Sequence, residues 1–144
     1  MTHYTIENRN FHTNNGINKE RCLEFFLTGN AGKHDNVKWY EGSDIPAYNL
    51  SVKSAKFSLC SGGHLKGESL NEMLDDFFAR VASTKFAYVT MTYEVYEMDK
   101  VEFREFLEIF GTLSRESTTN GGKVKIKAKS ESKMMIEWFK MRVA

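Results

Sequence analysis

Two cysteines, a single proline and no long apolar run set the first limits on this chain of 144 residues. Cys22 and Cys60 are too few and too far apart to form a disulfide framework, so a reducing compartment is the economical expectation. No window approaches the roughly 20 apolar residues needed to span a bilayer. Residues 1–10 are polar and lack the apolar run of a signal peptide. The expectation is a soluble, cytoplasmic protein with no membrane partner. An excess of one charge is also missing. A formal net charge of +1 argues against wrapping nucleic acid through bulk charge, while leaving room for a local basic stripe. There is no phosphate-cradling glycine motif and no dinucleotide fingerprint, and no His and Asp spacing supports a cysteine nucleophile. Internal repeats, low-complexity blocks and linkers are absent, and Pro46 falls in a turn. One domain, residues 1–144, is the natural division.

Apolar material, by contrast, is ample. Hydrophobic residues make up 41% and aromatics 13%, including eleven Phe, enough to bury a core and to exclude a disordered chain. Asn14-Asn15-Gly16 signals a turn after a short-strand lead-in. A helix is expected over about 19–28, with Asn18 as its cap and Gly29 as its stop. A short strand is expected over 37–40 and a longer one over about 48–59. In the longer strand the apolar alternation slips by one residue near Ser54-Ala55, which suggests a β-bulge. Ser69 and Glu72 form a capping signature ahead of the stripe Leu70, Met73, Leu74, Phe77, Phe78 and Val81. A strand over about 86–96 follows. Asp99 and Glu102 repeat the cap ahead of Phe103, Phe106, Leu107 and Phe110, and Gly111 ends that helix. A Ser/Thr/Gly loop, a period-two strand over 123–129 and a helix carrying Met135, Ile136, Trp138 and Phe139 complete the chain. The fold class expected is α/β (α+β), a mixed β-sheet flanked by helices.

One stretch carries chemistry. Asp44 precedes a strand on which Ser51-Val52-Lys53 occupy alternating faces, so that Ser51 and Lys53 point together while Val52 enters the core. This stretch, Asp44-Ile45-Pro46-Ala47-Tyr48-Asn49-Leu50-Ser51-Val52-Lys53-Ser54-Ala55, resembles the core of the PD-(D/E)XK nuclease superfamily. In that family an aspartate opens or precedes a strand and an acid-x-lysine triplet follows. The order of a leading helix, a hairpin around the site, a helix and further strands fits the same pattern over roughly residues 18–110. The resemblance implies a metal-dependent DNA nuclease fold acting on phosphodiesters. Carboxylates would hold Mg²⁺ through oxygen ligands, and the lysine would orient water or stabilise developing charge. Ser51 stands where the family has its second acid. An acid on the leading helix can replace it; Glu24 is favoured, with Glu20 and Glu41 as alternatives. The resemblance thus implies Asp44, Lys53 and Glu24 as catalytic residues, with Asp44 and Glu24 on the metal. The plain alternative is that Asp44 is a turn residue bonded to nearby backbone and Lys53 a solvated strand lysine.

Lys123, Lys125, Lys127 and Lys129 recur at alternate positions, roughly 6.6 Å apart on a strand, close to the separation of successive phosphates along one DNA strand. They are candidate contacts to nucleic acid or to a partner; an edge strand protected by lysine is the other reading. Cys60 and His64 form a C-x₃-H pair, and Cys22, His34, His12 and His3 lie elsewhere; this is too little to point to zinc. The expected partner is DNA or a nucleic-acid-binding protein. A domain with half its acids erased also fits a non-catalytic binder that blocks a nucleic-acid machine. By size and architecture it is similar to small phage and mobile-element proteins, including inhibitors of CRISPR effectors.

Overall fold

The strongest signals in the sequence, the helix caps, set where the helices begin. The computed structural model describes residues 1–32, 37–59, 65–115 and 124–144. Helix α1 runs Asn15–Thr28 and ends on Gly29 at φ 78, a left-handed stop that suits glycine. It starts earlier than the sequence suggests, because Asn14 caps it by accepting from the Ile17 N–H. Asn18 is therefore inside the first turns and buried. Its amide donates to Asn8 and to the Tyr93 hydroxyl and accepts from the His12 N–H, tying α1 to the N-terminal segment. Helix α2, Leu70–Arg80, has Ser69 as its cap. Helix α3, Lys100–Phe110, has both halves of the capping box, Asp99 accepting from the Glu102 N–H at 2.8 Å and Glu102 from the Asp99 N–H at 3.0 Å. Helix α4, Lys133–Val143, is capped by Ser132.

The strands form two sheets where the sequence suggested one. Strands β1 (Thr2–Thr5), β2 (Leu50–Lys53), β4 (Lys85–Val89) and β5 (Glu94–Asp99) make a mixed sheet in the order β1-β5-β4-β2. β2 runs parallel to β4 through the α2 crossover, and the other pairs are antiparallel. β3 (Ser58–Leu59), β7 (Val124–Ala128) and β6 (Gly111–Arg115) make a second, antiparallel sheet in the order β3-β7-β6. The expected strand over 48–59 is thus cut in three: a 3-10 turn at Pro46–Tyr48, then β2, then β3. The slip near Ser54-Ala55 marks a turn between two sheets, not a bulge, with the Phe57 N–H bonded to the Ser54 carbonyl. Residues 37–40 form a turn, not a strand. The run 86–96 is a hairpin whose reversal puts Tyr93 at φ 62. β6 replaces the start of the expected Ser/Thr/Gly loop.

Helices cover both faces of the mixed sheet. α1 supplies Cys22 and Leu23 to a cluster with Ile45, Leu50, Ala87, Val89 and Val95. On the other face, Phe86 and Tyr88 meet α2, α3 and α4 in a Phe-rich core that also takes Leu59 and Ile126 from the second sheet. Gly111 ends α3 with an extended backbone, φ −89 and ψ 145, so glycine is not there for a left-handed stop. A Cβ at this position would instead drive into the Leu107 carbonyl oxygen and press on Ile126. Gly111→Ala should therefore lower stability by about 1–3 kcal/mol, as overpacking does; an unchanged urea midpoint would show that the helix-to-strand junction yields freely.

Candidate functional site

The site is built on the free edge of β2. Among the described residues that strand pairs along its length with β4 alone, and the Val52 N–H points to the other side, away from β4. Asp44 supplies its partner there: Oδ2 accepts from the Val52 N–H at 2.7 Å and from the Ser51 hydroxyl at 3.4 Å. The expected hairpin around the site is reduced to a single bridge between Ile45 and Leu50. The loop is nonetheless held firmly. Buried Ser43 bonds to Ser83 at 2.8 Å and to the Asn49 side chain at 2.9 Å, and the Asn49 carbonyl accepts from the Thr84 and Lys85 N–H groups. Asp44 therefore does what a turn residue does, and it does so from a fixed position beside the strand.

Register places the motif residues on the faces that alternation requires. Ser51 lies beside Phe86 and Lys53 beside Tyr88, facing the α2–α4 side, while Val52 lies beside Ala87 on the α1 side. With both faces covered, the burial differs from a half-exposed strand: Ser51 is 9% exposed, and Val52 and Lys53 are both intermediate. Lys53 closes β2 with its ammonium 5.7 Å from the centre of the Phe57 ring, a cation–π distance. Burial lowers its pKa, and the neighbouring Asp44 and Glu20 carboxylates oppose the shift.

The second carboxylate is Glu20. It is hydrogen-bonded to Asp44, and its pKa is pushed up to about 8, first by burial, then by Asp44 and Glu24, with Lys53 opposing. Two carboxyls in contact cannot both ionise cheaply, so one retains a proton near neutrality. Glu24, the acid favoured from the sequence, lies one turn further along α1 and accepts from the Gly32 N–H. It acts on Glu20 by charge, while the contact with Asp44 belongs to Glu20. Glu41 is exposed and takes no part in that contact. Glu20 and Glu24 are spaced i, i+4 and share a helix face; the helix period narrows the choice to these two, and only the packing of α1 against β2 separates them.

The linkage from Glu20 has a definite sign. Its folded pKa of about 8 stands above the ordinary 4.5, so across that interval the native state holds a proton that the unfolded state has lost. Stability from this group therefore falls as pH rises between these values. Glu20→Gln should flatten the fall and melt higher than the wild type above pH about 7, near the upper end of this window. A wild-type melting temperature that rises from pH 5 to 8, by an amount unaffected by Glu20→Gln, would contradict the pairing.

The remaining candidates do not join this cluster. Among the described residues no group of three or more His, Cys, Asp or Glu is arranged to hold a metal ion; the feature here is a carboxyl pair with a lysine. Cys22 is buried and accepts from the Arg9 N–H. His3 stacks on Tyr96 and contacts Glu94, and His12 accepts from the Asn14 N–H. Cys60, His64 and His34 lie outside the described residues, as does Lys123. Lys125, Lys127 and Lys129 follow β7, which is the central strand of its sheet and not an edge. Past the end of β4, Glu131 accepts from the Tyr88 hydroxyl at 2.9 Å and the Met91 N–H at 3.1 Å. Glu131 also acts electrostatically on Lys19, which is buried and has its pKa lowered by that burial. Nothing in the sequence pattern marks this network, since its members lie far apart along the chain.

No family model, curated protein sequence or solved structure matches the chain. No helix among the described residues is long and apolar enough to cross a membrane.

Proposed function

We propose that the chain is a PD-(D/E)XK-like, Mg²⁺-dependent nuclease acting on DNA phosphodiesters, with Glu20 taking the place of the acid that Ser51 lacks. The observation that supports this is the Glu20–Asp44 carboxyl pair with Lys53 acting on both by charge. A proton shared by two carboxyls occupies a position that a divalent cation fills when it displaces the proton. Bound there, the metal would polarise the phosphodiester and lower the pKa of a water. Asp44, anchored by the Val52 N–H, and Glu20, held on α1, supply the hard oxygen ligands. Lys53, at the end of β2, reaches both carboxyls by charge, its lowered pKa eases proton exchange with water, and it would stabilise charge developing on the phosphate. Ser51 turns its hydroxyl onto Asp44 and orients that carboxylate in place of ligating. The rival reading, a binder that inhibits a nucleic-acid machine such as a CRISPR effector, rests on that same serine.

The test is cleavage of plasmid and linear DNA by the purified protein with Mg²⁺ or Mn²⁺. Cleavage is expected for the wild type and its loss for Asp44→Ala and Glu20→Gln. Intact DNA with every metal, from a folded wild type, would move the chain to the inhibitor class. Cleavage by Asp44→Ala at the wild-type rate would remove Asp44 from the mechanism.

A further inference from the structure

The second sheet has two unlike sides. Its inner side gives Leu59, Ile126 and Ala128 to the interior. On its outer side the register sets Ser58 and Thr112 on either flank of Lys127, and Ser114 beside Lys125. None of the three strands contains an acidic residue, although the chain as a whole is nearly neutral with 20 Lys and Arg against 19 Asp and Glu. Cations and hydroxyls have thus been gathered here locally, and this outward row holds no aromatic or aliphatic side chain.

The turn leading into the sheet carries a second, independent observation. Lys56 is exposed and sits at φ 58, in the left-handed region that side chains with a Cβ avoid and that glycine or asparagine occupies more easily. A lysine there runs against the local preference of the backbone, the kind of departure that gathers at functional sites. No carboxylate pairs with Lys56, Lys127 or Lys129 among the described residues. The turn connects Lys53, the last residue of β2, to Ser58, which pairs with Lys127. The exposed Lys56 of this turn is thus two residues from Ser58, which the register sets beside Lys127.

We infer that this face, from Lys56 across Ser58, Thr112 and Lys127 to Lys129, docks the phosphate backbone of a nucleic acid without reading its sequence. Lysine ammoniums and Ser/Thr hydroxyls are the groups that hold phosphate oxygens, and the strand pitch of roughly 6.6 Å gives regularly repeated contacts. An interface with an acidic protein would centre on a buried aromatic or aliphatic anchor, which this face does not offer. The surface is separate from the carboxyl pair, so binding and cleavage can be read apart.

The experiment is fluorescence anisotropy of a short labelled DNA duplex with the full chain, in EDTA, across a salt series. Log affinity should fall linearly with log salt, and Lys56→Gly, Lys127→Gln and Lys129→Gln should each reduce the slope by about 0.9. Lys56→Gly should melt no lower than the wild type, so that its weakened binding cannot be assigned to unfolding. Duplexes of unrelated sequence should bind alike. Slopes unchanged in all three variants would overturn the proposal, as would polyglutamate binding as tightly as DNA. EDTA removes the metal from the readout: binding with these slopes by a protein that never cleaves would sustain this surface while rejecting the nuclease reading.

Discussion

Lys53→Met should reduce metal-dependent cleavage roughly 10²–10³-fold, the loss typical of removing one preorganised group that stabilises charge in the transition state. The expectation rests on position. Lys53 ends β2 at the side of the mixed sheet, and the Asp44 and Glu20 carboxylates act on it by charge, opposing the lowering of its pKa by burial. Methionine keeps the length of the stem and its contact with Phe57 while removing the charge. The fold should therefore survive, and the pKa of Glu20 should rise further, because Lys53 is the one influence that lowers it. Single-turnover rates at saturating DNA measure the effect. A rate within twofold of wild type would leave Lys53 a structural lysine.

Phe77→Ala should cost about 3–5 kcal/mol, the range for truncating a large buried aromatic. Phe77 is 1% exposed. Its ring lies 4.9 Å from Phe78 and 5.1 Å from Trp39 between centroids, and it also meets Phe86 and Phe103. It joins α2, α3 and the mixed sheet at one point, so the cavity left by alanine has rigid walls on several sides and closes poorly. Chemical denaturation reads this directly, as a lower midpoint with an unchanged slope. A loss below 1 kcal/mol would mean that α2 settles into the space and that the core is less tightly built than the ring contacts indicate.

The helices were legible because their information is local. Ser69, Asp99 and Gly29 act on backbone groups within one turn, and the stripe of α2 and α3 follows from a period that neighbours obey. Sheet membership was not local. The alternation slip near Ser54 is real, but nothing within a few residues of it says whether the chain bulges or leaves the sheet; that depends on β7, some 70 residues away. The division of the run 86–96 was hidden for a related reason: Tyr93 takes a positive φ usually marked by glycine or asparagine, so the turn carried no turn residue. The candidate site divided in the same way. Asp44 and Lys53 sit close along the chain and were read from spacing, whereas the choice between Glu20 and Glu24 required the contact of α1 with the edge of β2. Lysines at alternate positions were equally plain, yet their strand is central, and the hydroxyls that β3 and β6 set beside them come from distant parts of the chain.

Metal-dependent cleavage requires the Glu20–Asp44 pair to exchange its proton for a divalent cation. Calorimetric titration of Mn²⁺ into the DNA-free protein near neutral pH, in two buffers of different ionisation enthalpy, measures binding and proton release together. The predicted result is one bound cation with close to one proton released, as expected when a metal displaces a proton from its ligands, and loss of both signals in Glu20→Gln. Binding of Mn²⁺ by Glu20→Gln with wild-type affinity, or no binding by the wild type at millimolar metal, would contradict it.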